Sequence, residues 1–516
     1  MEPAPHTAEM PSKVSPRLAE GTAPEVCEHL YGPRLARDFP ASFLHLGDIN
    51  QAHLLMLHAQ GLMGDADARA LAAALLRIEA EGPDKVPLDA ALEDAYFNYE
   101  AHLMRIAGAH VGGSLHVARS RNDILSTMDR LRARSHLAQL VESLSAARLE
   151  AIDAAARYAD VVMPGYTHLQ PAQPITFGFW LLGVAEALGR DVDRLVRLQP
   201  QLDHCPLGAG ALTGTSFPID RHRTADLLGF DAVVPHTLDA VASRDYGLEM
   251  LSSLAILSVT ASRIAQDFYV WCTPEFGLVE FPDSVTGTSS IMPQKKNPFV
   301  LEYLKGKSGQ ISGSLAAALM TVKAAHFTHT GDGNRETMRN LWESAEEAHH
   351  IAAMLDLVLR TVRPVPERMR KRAQADFGTA TELADLLVRE CGLSFRESHH
   401  IVGAVVRAAL DDGLDSTGIT AAMIEQAALD QLGRSLGIPD ASVRTSLDPV
   451  VAVRSRGATG GPAPEAVQSR AKVLRGEALA VREANLQRKD RFESARAGLK
   501  TAVRALAATA TPQPQT

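Results

Sequence analysis

Apolar residues along this chain recur at the spacing of helices rather than strands. Between Leu137 and Tyr158 they fall at Leu137, Leu140, Val141, Leu144 and Ala147, the i, i+3, i+4 spacing that builds one helix face. Trp180 to Leu198 and Tyr246 to Phe268 are of the same type. Trp342 to Arg360 puts Ala348, Ile351, Ala352, Leu355, Val358 and Leu359 on one stripe. Helices of this length with wide apolar faces predict a bundle, and stripes on more than one face predict burial against other subunits. Shorter helices are expected before it, at 48–63 with Asp48 as cap, at Asp65 to Glu81 and at 92–106. The run TVRPVP at 361–366 ends the bundle. Helices at 379–391 and 396–410 follow, and the Gly/Pro-rich loop 456–467 precedes a final charged helix.

The expected class is therefore all-α. Residues 1–39 read as a flexible extension, 40–118 as an N-terminal helical domain, 119–365 as the central bundle, 366–508 as a C-terminal helical domain and 509–516 as a disordered tail. Aromatics are only 5% of the chain, which also favours helices over a β-sandwich. The net charge of −9 lacks the basic footprint of a nucleic-acid binder. Four scattered cysteines, Cys27, Cys205, Cys272 and Cys391, form no CxxC pair, so neither a zinc site nor a disulfide framework is expected. A reducing cytoplasm is the expected setting. The Pro-rich N-terminus has no signal-peptide core, and no apolar run approaches the roughly 20 residues of a membrane span.

Four polar segments interrupt the helices. In 116-HVARSRNDI-124, two arginines flank Ser120 and offer forked donors of the kind that capture carboxylates. The same residues also read as a solvated helix start capped by Asn122 or Asp123. In 164-PGYTHLQPAQPI-175, a stiff polar connection between two helices, His168 has the chemistry of a general acid or base, or is a surface histidine. In 236-HTLDAVASRDYGLE-249, Arg244 and Asp245 read alone as a structural ion pair. In 286-TGTSSIMPQKKNP-298, a lysine close to a serine can favour its alkoxide form, although a charged surface loop has the same composition.

Taken in order, these segments resemble the signature regions of the argininosuccinate lyase branch of the fumarase/aspartase superfamily. SSxMPxKxNP is matched by Ser289, Ser290, Met292, Pro293, Lys295, Asn297 and Pro298, and RSRND and PGYTHLQ by 119–123 and 164–170. Supporting matches lie at 207–221, 238–241, 244–245, 394–399 and 460–467. The resemblance, from about Asp48 to Val467, implies a homotetramer with a twenty-helix core and active sites drawn from three subunits. It implies anti elimination of a succinyl adduct to fumarate and an amine, with no cofactor or metal. Ser289 would be the base, supported by Lys295 and Asn297. Ser120, Arg121, Asn122 and Thr167 would hold the carboxylates. His168 would serve as acid, oriented by Glu302, and Arg244 would support the site.

The segment that binds the amine half departs from the family. Where argininosuccinate lyases resemble Y-N-x-D-L-Q-E-D-K, this chain has 326-HFTHTGDGNRETMRN-340. His329, Asn334 and Thr337 stand at the altered positions. Arg335 and Arg339 nearby offer to bind another carboxylate, and Asp332 and Glu336 to meet an amine, unless the segment is only a helix start capped by Asp332. Elsewhere Val117 and Ala118 replace Thr and Gly, Thr288 replaces Gly, and His236 replaces Asn. Losing three contacts in a site built to pair polar groups should reject the original ligand, so the expected substrate is an N-substituted aspartate other than argininosuccinate. The alternatives are an argininosuccinate lyase with a rewritten loop, and a non-catalytic crystallin-like protein.

Overall fold

The structure, a computed structural model, describes residues 17, 18 and 20–508. The tail expected at 509–516 lies outside the described residues, as do residues 1–16 and 19 of the expected extension.

Among the helices are α1 (Gly32–Ala59), α2 (Asp65–Glu81), α3 (Ala95–Ala107), α4 (Arg121–Arg157), α5 (Phe177–Arg197), α6 (Asp245–Trp271), α7 (Phe299–Val322), α8 (Thr337–Thr361), α9 (Ala380–Cys391), α10 (Phe395–Asp411) and α11 (Pro464–Ala508). The all-α expectation holds, with short two-stranded pairings between helices. α4 to α8 form the central bundle, and its core includes Leu137, Leu140, Val141, Leu144, Leu254, Leu355 and Val358, all at most 1% exposed. Each such side chain contributes about 1.5–3 kcal/mol by leaving water. α6 is long and apolar enough by composition to cross a membrane. Here its apolar residues are spent on the bundle core, including Met250, Leu254, Ala261 and Phe268.

Three expectations change. Asp48 is no cap: α1 starts at Gly32 and runs through Pro40, across the expected boundary at residue 39. Leu35, Phe39, Phe43 and Leu46 carry the apolar period upstream, and their burial outweighs one proline. Asp48 is buried mid-helix against Arg496 (3.0 Å) and Lys500 (2.7 Å). Within 366–508, residues 383–447 have a core of their own, but α11 leaves it. Val467 to Ala478 join the bundle core, while Leu499 and Val503 join the N-terminal one. Finally, the connection at 164–175 is an antiparallel hairpin, β1 (Val162–Thr167) and β2 (Gln170–Thr176), in which Pro164 faces Pro174 and a bulge falls at Gly165. Prolines cannot donate to a ladder, which is tolerable in a two-stranded pair where both strands are edges.

Candidate active site

Ser120, not Asn122 or Asp123, is the N-cap of α4. Its Oγ accepts from the Asn122 amide, and Asp123 completes a capping box by accepting from the Ser120 amide at 2.9 Å. The other Asp123 oxygen accepts from the amides of Gly208 and Gly210, both at 2.9 Å. Both glycines have positive φ, and a Cβ on Gly210 would stand 2.7 Å from the Gly214 carbonyl. This fully buried carboxylate clips the signature turn to the 207–214 loop, and burial raises its pKa to about 6. Asn122 Nδ2 donates to the Ala211 carbonyl at 3.3 Å. Arg121 reaches Glu93 (2.6 Å) and Asp94 (3.2 Å) and lies over the Phe97 ring. Ala118, where the family carries glycine, has φ +64°, a conformation that costs an L-residue about 1–2 kcal/mol.

Thr167 and His168 sit at the exposed tip of the β1–β2 hairpin. His168 and Leu169 both have positive φ, 56° and 57°, as a two-residue reverse turn between twisted strands requires. Strain of this kind gathers at functional tips. Glu302, in the first turn of α7, accepts from the Tyr269 hydroxyl at 3.3 Å, and among the described residues no hydrogen bond joins it to His168.

The signature loop is held at its neck by paired amides and carbonyls of Gly287 and Asn297, both at 2.8 Å. Ser289 Oγ accepts from the Met292 amide at 3.1 Å, and Asn297 Nδ2 donates to the Thr288 carbonyl at 3.1 Å. Lys296 is anchored to Asp283 at 2.6 Å, while its neighbour Lys295 is exposed. Ile291 at the tip is 82% exposed.

Arg244 pairs with Asp129 (3.3 Å) and donates to Ser126 (3.0 Å), not to Asp245. It borders an open cleft together with Arg34, Asp38, His329, Asn334 and Arg335. Asn334 Nδ2 bonds the Val241 carbonyl (2.9 Å) and His329 Nδ1 (3.0 Å). Burial, then the charges of Arg244 and Arg335, hold His329 down to about 4, so the ring is neutral. Arg335 reaches Asp94 at 2.9 Å, so that Asp94 joins Arg335 to Arg121. Asp332 accepts from the Gly333 amide at the start of a π-turn.

The expected residues thus form three groups: Ser120–Asn122 together with the cleft around His329, bridged by Asp94, then the hairpin tip, and the loop. Among the described residues no hydrogen bond or ion pair joins the tip or the loop to Ser120–Asn122. Sequence reasoning missed Glu93, Asp94 and Asp123 as anchors. The spacing of Asp123 three positions after Ser120 was a legible capping signal.

Comparison with known proteins places the chain. A lyase family profile matches residues 53–313, and an argininosuccinate lyase C-terminal profile matches 377–454. Argininosuccinate lyase 1 of Shouchella clausii is 38% identical over 448 residues, covering 87% of this chain and 90% of that protein. The argininosuccinate lyase of Methanoculleus marisnigri is 41% identical over 419 residues, 81% of this chain and 84% of the relative. A structure of an EDDS lyase variant with bound fumarate superposes with a TM-score of 0.84 at 31% identity, covering 95% of this chain and 96% of the other. The class II fumarase of Schistosoma mansoni shares the fold alone, at TM-score 0.66 and 17% identity over 80% of this chain and 90% of its own.

These relatives overturn the expectation that the substrate is not argininosuccinate, since argininosuccinate lyases at 36–41% identity match most of the chain. The physical reason lies in the altered positions. His329 and Asn334 bond each other and Val241, and Thr337 is only 2% exposed. His329 and Asn334 border the cleft and Thr337 does not, but Asn334 Nδ2 and His329 Nδ1 are engaged within the chain, so a change of residue at these positions does not by itself mark a different amine. The chain is a carbon–nitrogen lyase that belongs to the argininosuccinate lyase branch of the fumarase/aspartase superfamily.

Proposed function

We propose that the chain is an argininosuccinate lyase, splitting argininosuccinate reversibly into fumarate and arginine in the cytoplasm. The observation that carries this reading is the match to argininosuccinate lyases along more than four-fifths of the chain. The cleft supports it. Arginine ends in an ammonium and a carboxylate, and the cleft walls mix Asp38 and Asp129 with Arg34, Arg37 and Arg335. Arg34 Nε is buried with no hydrogen-bond partner among the described residues, a donor that a carboxylate would satisfy.

Elimination needs a base for the proton beside a carboxylate, fixed donors for the charge that builds there, and an acid for the leaving nitrogen. Ser289 is the base, with Lys295 and Asn297 stabilising the charge-rich carboxylate. Ser120, Arg121, Asn122 and Thr167 hold the succinyl carboxylates, and His168 protonates the nitrogen. An exposed loop carrying the base admits substrate and then closes over it. These groups are apart within one chain, which supports a homotetramer whose sites are completed by neighbouring copies. Exposed apolar side chains on α6 and α7, Ile256, Val259, Leu319 and Met320, supply faces for them. The test is to follow fumarate release from argininosuccinate. Efficient release is expected; no release, while fumarate is consumed with another amine, refutes the reading.

A further inference from the structure

Beside the carboxylate-binding turn stands a cluster of titratable groups that the reading above does not use. Tyr96 and Glu100 lie one turn apart on α3, and His116 precedes Ser120 by four residues. The Tyr96 hydroxyl donates to Glu100 Oε1 at 2.7 Å, and His116 Nδ1 lies 2.6 Å from that hydroxyl and 3.1 Å from Glu100 Oε1. Three contacts among an imidazole nitrogen, a phenol and a carboxylate are satisfied by two protons, the phenol's and one on Nδ1. The ring is thereby fixed, and among the described residues no hydrogen bond occupies Nε2. The imidazole borders the same open depression as Phe97, Glu100, Ser120, Arg121 and Asn122. Burial alone would push the Glu100 carboxyl up, but the hydrogen bonds from His116 and Tyr96 hold it below its ordinary value. The arrangement is that of an imidazole oriented by a carboxylate, its second nitrogen uncommitted, on a residue that lines the depression shared with Ser120–Asn122.

We infer that His116, held by Glu100 and Tyr96 as positioning residues, is a further substrate-contacting residue whose Nε2–H donates to the succinyl carboxylate gripped at Ser120–Asn122. The inference rests on the lyase reading for the fumarate half only, and is independent of which amine leaves. With Nδ1–H committed to the cluster, Nε2 is a donor only in the doubly protonated ring. Binding of the carboxylate is therefore linked to proton uptake, and affinity falls as the ring gives up its second proton. The groups facing the ring are Glu100 and Tyr96 from α3, Arg119 and Arg121 from the turn that follows it, and His53 from α1.

The test is calorimetric titration of the intact oligomer with fumarate between about pH 5 and pH 8, the range over which an imidazole changes charge. His116→Asn removes the nitrogen at the Nε2 position, whereas His116→Gln replaces it with a neutral amide donor. His116→Asn should weaken fumarate binding about tenfold or more, the effect of one charge-assisted hydrogen bond. His116→Gln should bind better than His116→Asn, with the pH dependence lost. Glu100→Gln keeps the shape of the cluster and should move the pH dependence downward. Wild-type affinity and pH profile in His116→Asn would make the cluster a structural tie only, and would overturn the inference. Should both histidine variants fail to fold, an unchanged pH profile in Glu100→Gln overturns it. Failure to cleave argininosuccinate would leave this outcome untouched, because fumarate alone is the probe.

Discussion

Replacing Arg244 by Met should destabilise the protein by an amount that grows with pH. Arg244 is buried, pairs with Asp129, and also donates to Ser126 and to the carbonyls of Val241 and Ser243. Burial pushes the Asp129 carboxyl up to about 6, with Arg244 the leading charge pulling it back. From 3.8 this is roughly two pH units, or about 3 kcal/mol of penalty on the charged form. The sign follows from linkage. A carboxyl whose folded pKa is raised leaves stability highest below its unfolded value, near pH 4, and takes it away as pH climbs to about 6. Without Arg244 the folded pKa rises further and the window stretches upward. Breaking a buried pair costs about 3–5 kcal/mol. The lost hydrogen bonds to neutral groups account for about 1–3 of this at any pH, leaving about 2 kcal/mol that depends on pH. Urea unfolding at fixed protein concentration, at about pH 5.5 and about pH 8, reads the difference directly. The variant's deficit should be larger at the higher pH, and Asp129→Asn in the same chain should remove the increment. An equal deficit at both values, or no recovery in the double variant, refutes the pairing as the source of the penalty.

Ser289→Ala should lower turnover by about a hundredfold or more, the scale of a lost general base, while the oligomer elutes unchanged in gel filtration; near-normal turnover would remove Ser289 as the base. Ala118→Gly should raise the unfolding free energy by about 0.5–1 kcal/mol, because relief of positive-φ strain exceeds the added freedom of the unfolded chain; a lower value would contradict the strain. Asp123→Asn places an amide among three N–H donors and should cost at least about 1.5 kcal/mol, with weaker fumarate binding in the same titration.

The bundle was legible because its helices repeat one apolar period over twenty residues or more, and α4, α5, α6 and α8 appear where Leu137, Trp180, Tyr246 and Trp342 announce them. The start of α1 was not, because order is expected only from residue 40 and Asp48 reads as a cap. A carboxylate paired with residues more than four hundred positions later looks, locally, like any helix start. The hairpin at 162–176 was hidden by its prolines, whose pairing is visible only in space. Signature residues were legible as motifs, but their partners were not. Nothing local in EDAYFNYE shows that Asp94 reaches Arg121 and Arg335, or that Glu100 reaches His116. The amine-half segment misled for the same reason. A changed residue reads as a changed contact with ligand, whereas Asn334 faces Val241 and His329.

The pairing of Asp48 with Arg496 and Lys500 bears on the order of synthesis. These partners are separated by 448 positions in the first case, so the N-terminal core leaves the ribosome long before its closing charges exist. Until α11 is made, the buried carboxylate of Asp48 and the apolar seats filled by Leu499 and Val503 stay open. A contact of such separation forms late, and the waiting surface is the kind on which other chains aggregate. A nascent chain stalled before residue 496 would therefore present its signature turn on a half-built floor. Completion of the last helix, rather than of the catalytic loops, marks the moment at which this chain becomes an enzyme subunit.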